Sequence, residues 1–339
     1  MKVAIVILNW NGEAHLRRFL PSVVRHTPER YAEIVVADNG SSDGSSALVR
    51  ESFPGVRLLC LDRNYGFTGG YNRALAELEA DYFVLLNSDV EVTEGWLAPL
   101  VERASSDDRI AAVMPKILSV DNPHMFEYAG AAGGLVDMLG YPYCRGRVLK
   151  RIESDCGQYD SACEVFWASG AAMLVRADVY RSLGGLDEDF FAHMEEIDFC
   201  WRAKNRGMSV WVEPRSKVYH LGGGTLSNES PRKLFLNFRN NLATLYKNLP
   251  AGRLFAVIFV RMCLDGAVGC AYLLTGRFSR FAAVVKAHAA FYGMMGGLRR
   301  KRRAIVRLGG TPTGMRGFVG FMAFKSVRKG RQGSEESRA

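Results

Sequence analysis

DYFVLLNSDV, residues 81–90, is the stretch from which the fold can be read. Tyr82, Phe83, Val84, Leu85 and Leu86 make an unbroken apolar run of strand length, the pattern of a strand covered on both faces. The run stops abruptly in Asn87, Ser88 and Asp89. Ligands in open α/β sheets gather outside the carboxyl ends of the strands. An aspartate there can hold a hard cation, and the cation a diphosphate. The plainer reading is an Asx turn or N-cap, with Thr93 and Glu94 opening the next helix.

Working back toward the N-terminus, the same grammar recurs. Val3–Leu8 is strand-like and ends in Asn9-Trp10-Asn11-Gly12. Glu13–His26 has helical spacing of its apolar residues. Ala32–Ala37 ends in Asp38-Asn39-Gly40-Ser41-Ser42-Asp43-Gly44, before a helix over Ala47–Phe53. Val56–Leu61 ends in Asp62-Arg63-Asn64-Tyr65-Gly66, and Tyr71–Ala80 reads as the helix that leads into the opening strand. Alternating β and α segments with short links predict a parallel sheet with right-handed crossovers. Four polar strand ends on one sheet edge predict a site. The glycines at 66–70 follow neither GxGxxG nor GxxxxGK[ST], which argues against a standard dinucleotide site and against an ATPase. Gly69 and Gly70 supply positive φ where the helix begins, or let backbone approach a ligand.

Toward the C-terminus, Ile110–Leu118 reads as another strand, and residues 121–152 as a loop or hairpin insertion. Cys163–Ala168 and Ala171–Val175 are short strands around Trp167-Ala168-Ser169-Gly170, and Asp178–Leu183 is a short helix. A helix to about Arg206 opens with Glu195, Glu196 and Asp198. Acids in a first turn suit the helix dipole. Beside aromatic residues they also suit a general base, because partial burial and like-charge neighbours raise a carboxylate pKa toward working pH. Val210–Glu213 and Lys217–Tyr219 read as strands, the second running into His220 and three glycines. A histidine at a strand end is a metal ligand or a structural residue.

The formal charge of +9 is unevenly spread: 27 Lys and Arg against 32 acids before Ala251, and 17 against 3 from there on. A basic tail calls for an anionic partner or for solvation. Arg232–Leu249 is amphipathic. Leu254–Leu274 is apolar for almost a membrane span but carries Arg261 and Asp265, which favours an interfacial helix or helical hairpin over a crossing one. Phe278–Met295 is a second amphipathic run, followed by Arg299-Arg300-Lys301-Arg302-Arg303. Apolar helices beside a basic cluster suggest anionic lipid. The alternative is a helical pair packed on the body with a solvated basic end. The division expected is a main domain over 1–250, a helical basic region over 251–330 and a disordered tail over 331–339 (Gln332–Ala339). The N-terminus reads as a strand and not as a signal peptide. Seven cysteines without a CxxC pair read as reduced thiols of a cytosolic protein, with a Cys156–Cys163 bridge as the oxidising alternative.

Seven segments occur in order: ILNWNG, VADNGSSDGS, NYGFTGGYN, NSDV, WASGAAMLVR, MEEIDFCWR and VYHLGGGT. Together they resemble bacterial family 2 glycosyltransferases of the GT-A fold, in particular the rhamnosyltransferase-like branch, over roughly residues 2–250. The resemblance implies a mostly parallel, Rossmann-like mixed sheet flanked by helices. It implies that Asp38 binds the nucleotide base, that Asn9 lies on the loop cradling the nucleoside, and that Asp62, Arg63 and Asn64 sit in the donor loop. It puts Asn87-Ser88-Asp89 at the family's DxD motif, with Asp89 as the metal-binding acid and Asn87 in place of the first one. His220 matches a histidine that completes the shell of Mg²⁺ or Mn²⁺. Glu195-Glu196 matches an acidic pair whose second member is the base in inverting members. Here that member is Glu rather than Asp, and a ~1 Å displacement matters for rate, so the base lies among Glu195, Glu196 and Asp198. Trp167, Ser169 and Gly170 line the sugar and acceptor side, with core packing the alternative for Trp167.

The resulting expectation is an inverting, metal-dependent transfer of rhamnose or a similar sugar. The donor is a dTDP- or UDP-linked sugar, and the acceptor a glycan or polyprenyl-linked molecule. The enzyme would work peripherally at the cytoplasmic face of the membrane, in surface polysaccharide synthesis. Two other readings compete: a sugar nucleotidyltransferase, for which NWNG lacks a basic triphosphate loop, and a non-catalytic membrane-associated family member. The acidic body and the lack of a recognised module argue against nucleic-acid binding.

Overall fold

The computed structural model describes residues 1–27, 32–222 and 230–307. The glycines after Gly222, the expected disordered tail and the tail's last basic residues lie outside the described residues.

The first half builds as the alternation predicts. Strand β1 (Val3–Asn9) leads through helix α1 (Glu13–His26) to β2 (Ala32–Asp38). Helix α2 (Ser45–Ser52) leads to β3 (Arg57–Cys60), and α3 (Gly66–Ala76) to β4 (Tyr82–Asn87). The order β4-β1-β2-β3 is parallel throughout, with Asn9 opposite Asp38 and Asp38 opposite Cys60. The predicted polar strand ends therefore do share one edge.

The second half turns the sheet mixed. β5 (Val90–Val92) and α4 (Leu97–Ser105) precede β6 (Ile110–Ser119). The helix after Asp89 thus starts later than Thr93, because residues 90–92 pair instead with a distant strand. Residues 121–152 hold four short strands, β7 (Gly134–Val136), β8 (Pro142–Cys144), β9 (Arg147–Val148) and β10 (Arg151–Ile152), in a separate antiparallel sheet. β11 (Cys163–Val165) and β12 (Ala172–Arg176) follow, then α5 (Ala177–Ser182), α6 (Glu195–Lys204) and β13 (Ser209–His220). β12 inserts antiparallel between β4 and β6. The two strands expected over 210–219 are a single strand with an irregularity between Glu213 and Lys217, around Pro214. Proline donates no ladder bond and is tolerated at such bulges.

Helix α3 begins at Gly66, five residues before the expected start. Gly66 has φ +72°, a region only glycine adopts freely. The backbone N–H groups of Phe67 and Thr68 donate to the Phe191 carbonyl at 2.8 and 3.2 Å, which satisfies part of the helix's first turn from a distant segment. Gly69 and Gly70 have ordinary helical φ, so positive φ is not their role. A Cβ on Gly70 would stand 2.7 Å from the Leu8 side chain; close approach of α3 to β1 is what excludes a larger residue.

Helix α7 (Pro231–Asn248) carries three further helices, α8 (Ala251–Leu274), α9 (Phe278–Gly293) and α10 (Met295–Arg307). α8 packs against α9, and the basic run 299–303 lies within α10. All seven cysteines are free, Cys156 and Cys163 included.

Candidate functional site

The carboxyl edge of the parallel strands carries a connected polar cluster. Asn9 is wholly buried. Its Nδ2 donates to Asp38 Oδ1 at 3.2 Å and Ser41 Oγ at 3.3 Å. Asp38 Oδ2 accepts from Ser41 N at 3.2 Å and Ser46 Oγ at 3.1 Å. Asn64 is tied to the same edge: its Oδ1 accepts from Gly66 N at 2.8 Å and Asn39 Nδ2 at 3.1 Å. Asp62 and Arg63 stand on the exposed rim. Asp62 accepts from the Tyr65 hydroxyl at 2.7 Å, which lowers its pKa, and the Arg63 guanidinium lies over the Tyr65 ring at 4.8 Å.

A second cluster meets the edge from the far end of the chain. β5 and β13 pair antiparallel, setting His220 opposite Val90, and Leu221 N donates to the Asp89 carbonyl at 3.1 Å. This pairing brings His220 Nε2 to 3.1 Å from Asp89 Oδ1, across 131 residues of sequence. Asn87 Nδ2 lies 3.4 Å from the same nitrogen. Sequence reasoning missed the fourth member, Glu127. Its Oε2 is 3.4 Å from His220 Nδ1, a charge contact rather than a well-formed hydrogen bond. Burial would lower the His220 pKa, but the two carboxylates prevail and raise it to about 10. Burial would raise that of Asp89; the His220 hydrogen bond and charge lower it instead.

These residues fit a hard divalent cation with restraint. Asp89 Oδ1 and His220 Nε2 are an oxygen and a nitrogen donor on converging backbone, with a carboxylate behind the ring as in many metal–histidine sites. No group of three or more His, Cys, Asp or Glu among the described residues could form a protein-only cage. A cation here would draw its remaining ligands from phosphate and water, the usual habit of Mg²⁺.

The three acids of α6 separate clearly. Asp198 is fully buried and spent: Arg202 Nε, Lys247 Nζ and Asn248 Nδ2 each approach its carboxylate at 2.8 Å. Glu195 is buried with Oε2 unpartnered, and burial together with Glu196 pushes its pKa well up. Glu196 reaches the surface in part, but its Oε2 is sealed and unpartnered, and burial raises its pKa to about 7. The segment before them is held by Arg239 and Asn240 of α7. Asn240 Nδ2 donates to the carbonyls of Phe190, Ala192 and His193 at 3.1, 2.8 and 2.8 Å. Arg239 donates to those of Asp189 and Phe190 at 3.0 Å. Phe191, His193 and Met194 all have positive φ, a strained arrangement that its surroundings must hold in place. Asn240→Ala strands two carbonyls, those of Ala192 and His193, each worth about 1–3 kcal/mol when left unsatisfied, while the Phe190 carbonyl keeps Arg239 and the Ala192 N–H. A fall in melting temperature together with a loss of transfer is therefore expected.

Of the three residues expected at the sugar and acceptor side, two are committed to the interior. Trp167 is 4% exposed and its indole N–H donates to the Leu135 carbonyl at 3.0 Å. The Ser169 hydroxyl is used between the Ala129 carbonyl and the Ala171 N–H. Gly170 does border the acids: a Cβ there would lie 3.9 Å from Glu196 Cβ and 3.5 Å from the Phe67 ring.

Residues 4–133 match the model of the Glycosyl transferase family 2. The N-acetylglucosaminyl-diphospho-decaprenol L-rhamnosyltransferase of Mycobacterium tuberculosis is 31% identical over 242 residues, 65% of this chain and 76% of that one. A low-salt glycan biosynthesis hexosyltransferase of Haloferax volcanii is 25% identical over 70% of this chain and 73% of its own. Among solved structures, GalNAc-T7 with UDP, GalNAc and Mn²⁺ superposes with a TM-score of 0.58 at 19% identity, over 73% of this chain and 48% of that one. The mannosyltransferase PcManGT from Pyrobaculum calidifontis, with GDP-Man and Mn²⁺, does so at 0.52 and 14% identity, over 86% and 87%. The sheet is of the GT-A type. The chain belongs to glycosyl transferase family 2, in its rhamnosyltransferase-like branch, and is a glycosyltransferase of the hexosyl-transferring kind.

Proposed function

We propose that this enzyme moves rhamnose or a similar sugar, with inversion, from a dTDP- or UDP-linked donor to a glycan or polyprenyl-linked acceptor in cell-envelope polysaccharide synthesis. The observation that carries the reading is the convergence of Asp89 and His220 beside the Asn9–Asp38 cluster, with Glu196 held near neutral pKa. The nucleoside would lie over Asn9, Asp38 and Asn64, with Asp62 and Arg63 at the rim. Asp89 and His220 would hold Mg²⁺ or Mn²⁺, which when bound neutralises the departing diphosphate. Glu196 would take the proton of the acceptor hydroxyl, which attacks the anomeric carbon in one displacement. Burial and the neighbouring Glu196 push the Glu195 pKa well up, which would favour its uncharged form beside Glu196. The solved relatives bound to UDP or GDP-Man with Mn²⁺ and the decaprenol-linked substrate in the name of the mycobacterial relative support this reading.

A thermal-shift panel tests it. With Mn²⁺ present, UDP or dTDP should raise the melting temperature by mass action, and Asp89→Ala should abolish the metal-dependent part. A full shift in Asp89→Ala would remove Asp89 from the site.

The helical region over residues 251–307 is proposed to dock on an anionic bilayer at the cytoplasmic face. α8 is long and apolar enough to cross a membrane by length and composition, yet its two mid-helix charges, Arg261 and Asp265, turn inward, with Arg253 in its first turn. Arg261 Nη1 donates to Asn241 Oδ1 at 2.5 Å and the Leu139 carbonyl at 2.9 Å, and its guanidinium lies 3.8 Å over the Tyr141 ring. Asp265 sits 3.7 Å from Arg261 and 3.4 Å from His288. What α8 and the start of α9 show outward is Phe255 (82% exposed), Phe259, Leu274 (87%) and Phe278. Arg299, Arg300 and Arg303 of α10 are exposed, while Lys301 and Arg302 bond to the body. An apolar face beside free arginines suits anionic lipid. Replacing Phe255 and Leu274 together by Ser should cut binding to phosphatidylglycerol vesicles at least about 10-fold, given 1.5–3 kcal/mol per buried large side chain. Unchanged co-sedimentation would exclude this face.

A further inference from the structure

Glu127 joins the Asp89–His220 cluster but is given no role in the reaction proposed above, and its placement is specific. It comes from the loop leaving β6, where its backbone N–H donates to the Ile117 carbonyl at 3.1 Å. The side chain is 7% exposed. Its Oε2 accepts the Ala129 N–H and faces His220 Nδ1 at 3.4 Å. Gly222 leaves room for the other oxygen: a Cβ there would be 2.8 Å from Oε1. The carboxylate is thus anchored by a backbone donor before it meets the ring, and the ring's far nitrogen meets Asp89.

We propose that Glu127 is a positioning residue for the donor-phosphate cation: it sets the orientation and tautomer of His220, so that Nε2 is presented beside Asp89. The inference rests on the reading that Asp89 and His220 hold a divalent cation. A neutral imidazole has one donor and one acceptor nitrogen. To ligate through Nε2, His220 must carry its proton on Nδ1. A fixed carboxylate facing Nδ1 favours that tautomer and makes Nε2 a stronger donor. Among the described side chains Asn87 also approaches Nε2, at 3.4 Å, but from the ligand side of the ring; it cannot select the tautomer from behind. Groups behind a ligating histidine are commonly worth 10–100-fold in metal affinity.

The test titrates Mn²⁺ into the full chain, alone and with UDP or dTDP, reading the free-ion EPR signal. Glu127→Gln keeps an acceptor for Ala129 N–H but removes the charge; it should weaken Mn²⁺ about 10-fold, and Glu127→Ala about 100-fold. In transfer assays, the Mn²⁺ concentration for half-maximal rate should rise in parallel, and the rate at saturating Mn²⁺ should fall by less than the affinity does. A merely structural role would lower that rate and the melting temperature without a selective change in Mn²⁺ demand. If Glu127→Ala fails to fold, Glu127→Gln decides. Wild-type Mn²⁺ affinity in the Glu127 variants, with affinity lost in Asp89→Ala, overturns the role of Glu127 and leaves the cation site standing. Wild-type affinity in Asp89→Ala overturns both.

Discussion

Glu196→Gln is expected to lower kcat by about 10²–10⁴-fold, the range for loss of a positioned general base, with the nucleotide thermal shift unchanged. Gln keeps the shape of the side chain but cannot take a proton. Asp89 and His220 reach the site on β4, β5 and β13, away from α6, so donor binding has no reason to fall. The pH profile carries the same signature. With the Glu196 pKa raised to about 7 by burial, the wild-type rate should fall as pH drops through about 7, and the residual rate of the variant should lack that limb. Stability moves the opposite way. A carboxyl group with a folded pKa above its ordinary value of 4.5 binds protons more readily in the folded state. Folding therefore loses stability as pH rises from about 4.5 through 7. Glu196→Gln removes that loss, so at pH 8 it should melt above wild type and near pH 4 match it. A variant that keeps full transfer would move the base elsewhere in the site.

Asp198→Ala should be the mirror image, destabilising the protein by about 3–5 kcal/mol, the cost of breaking a buried ion pair by removing one partner. Among the described residues Arg202 is then left, for hydrogen bonds, with the carbonyls of Leu183 and Gly185. Lys247 keeps Asp187 at 2.5 Å, which also receives Lys301. These lysines hold the Asp187 carboxyl far below the usual carboxylate range despite its burial. The measurement is the denaturant midpoint at constant m. Asp198→Asn keeps the hydrogen-bonding shape and should recover part of the stability. If Asp198 were instead the base, Asp198→Asn would abolish transfer in a protein of normal stability, and the roles of the two acids would exchange.

Particular residues show how far the sequence reaches. The strand ends at Asn9, Asp38 and Asn87 were legible because apolar runs of strand length broke into Asn, Asp and Ser, and a parallel sheet aligns such ends on one edge. The order of the seven segments reached the family, which the match over residues 4–133 and the mycobacterial relative then showed. The separate sheet of residues 134–152 was legible only as an insertion, because its strands are two or three residues long and too short for a period to show. The start of α3 was missed because its first turn is completed by the Phe191 carbonyl, a partner 124 positions away.

By itself the sequence determined the α/β alternation, the polar sheet edge, the set of acids available and the basic, apolar character of the C-terminal helices. Each of these is local, a matter of which side chains follow one another. The tertiary structure alone decided which of those acids are free. Asp198 is neutralised by Lys247 of another helix, and Glu196 is not. It also decided that His220 stands between Asp89 and Glu127, and that Arg261 and Asp265 face the body and leave α8 an apolar outer surface. A charge's state depends on what lies within a few ångströms of it, and here the deciding partners include ones 20 and 131 positions away along the chain.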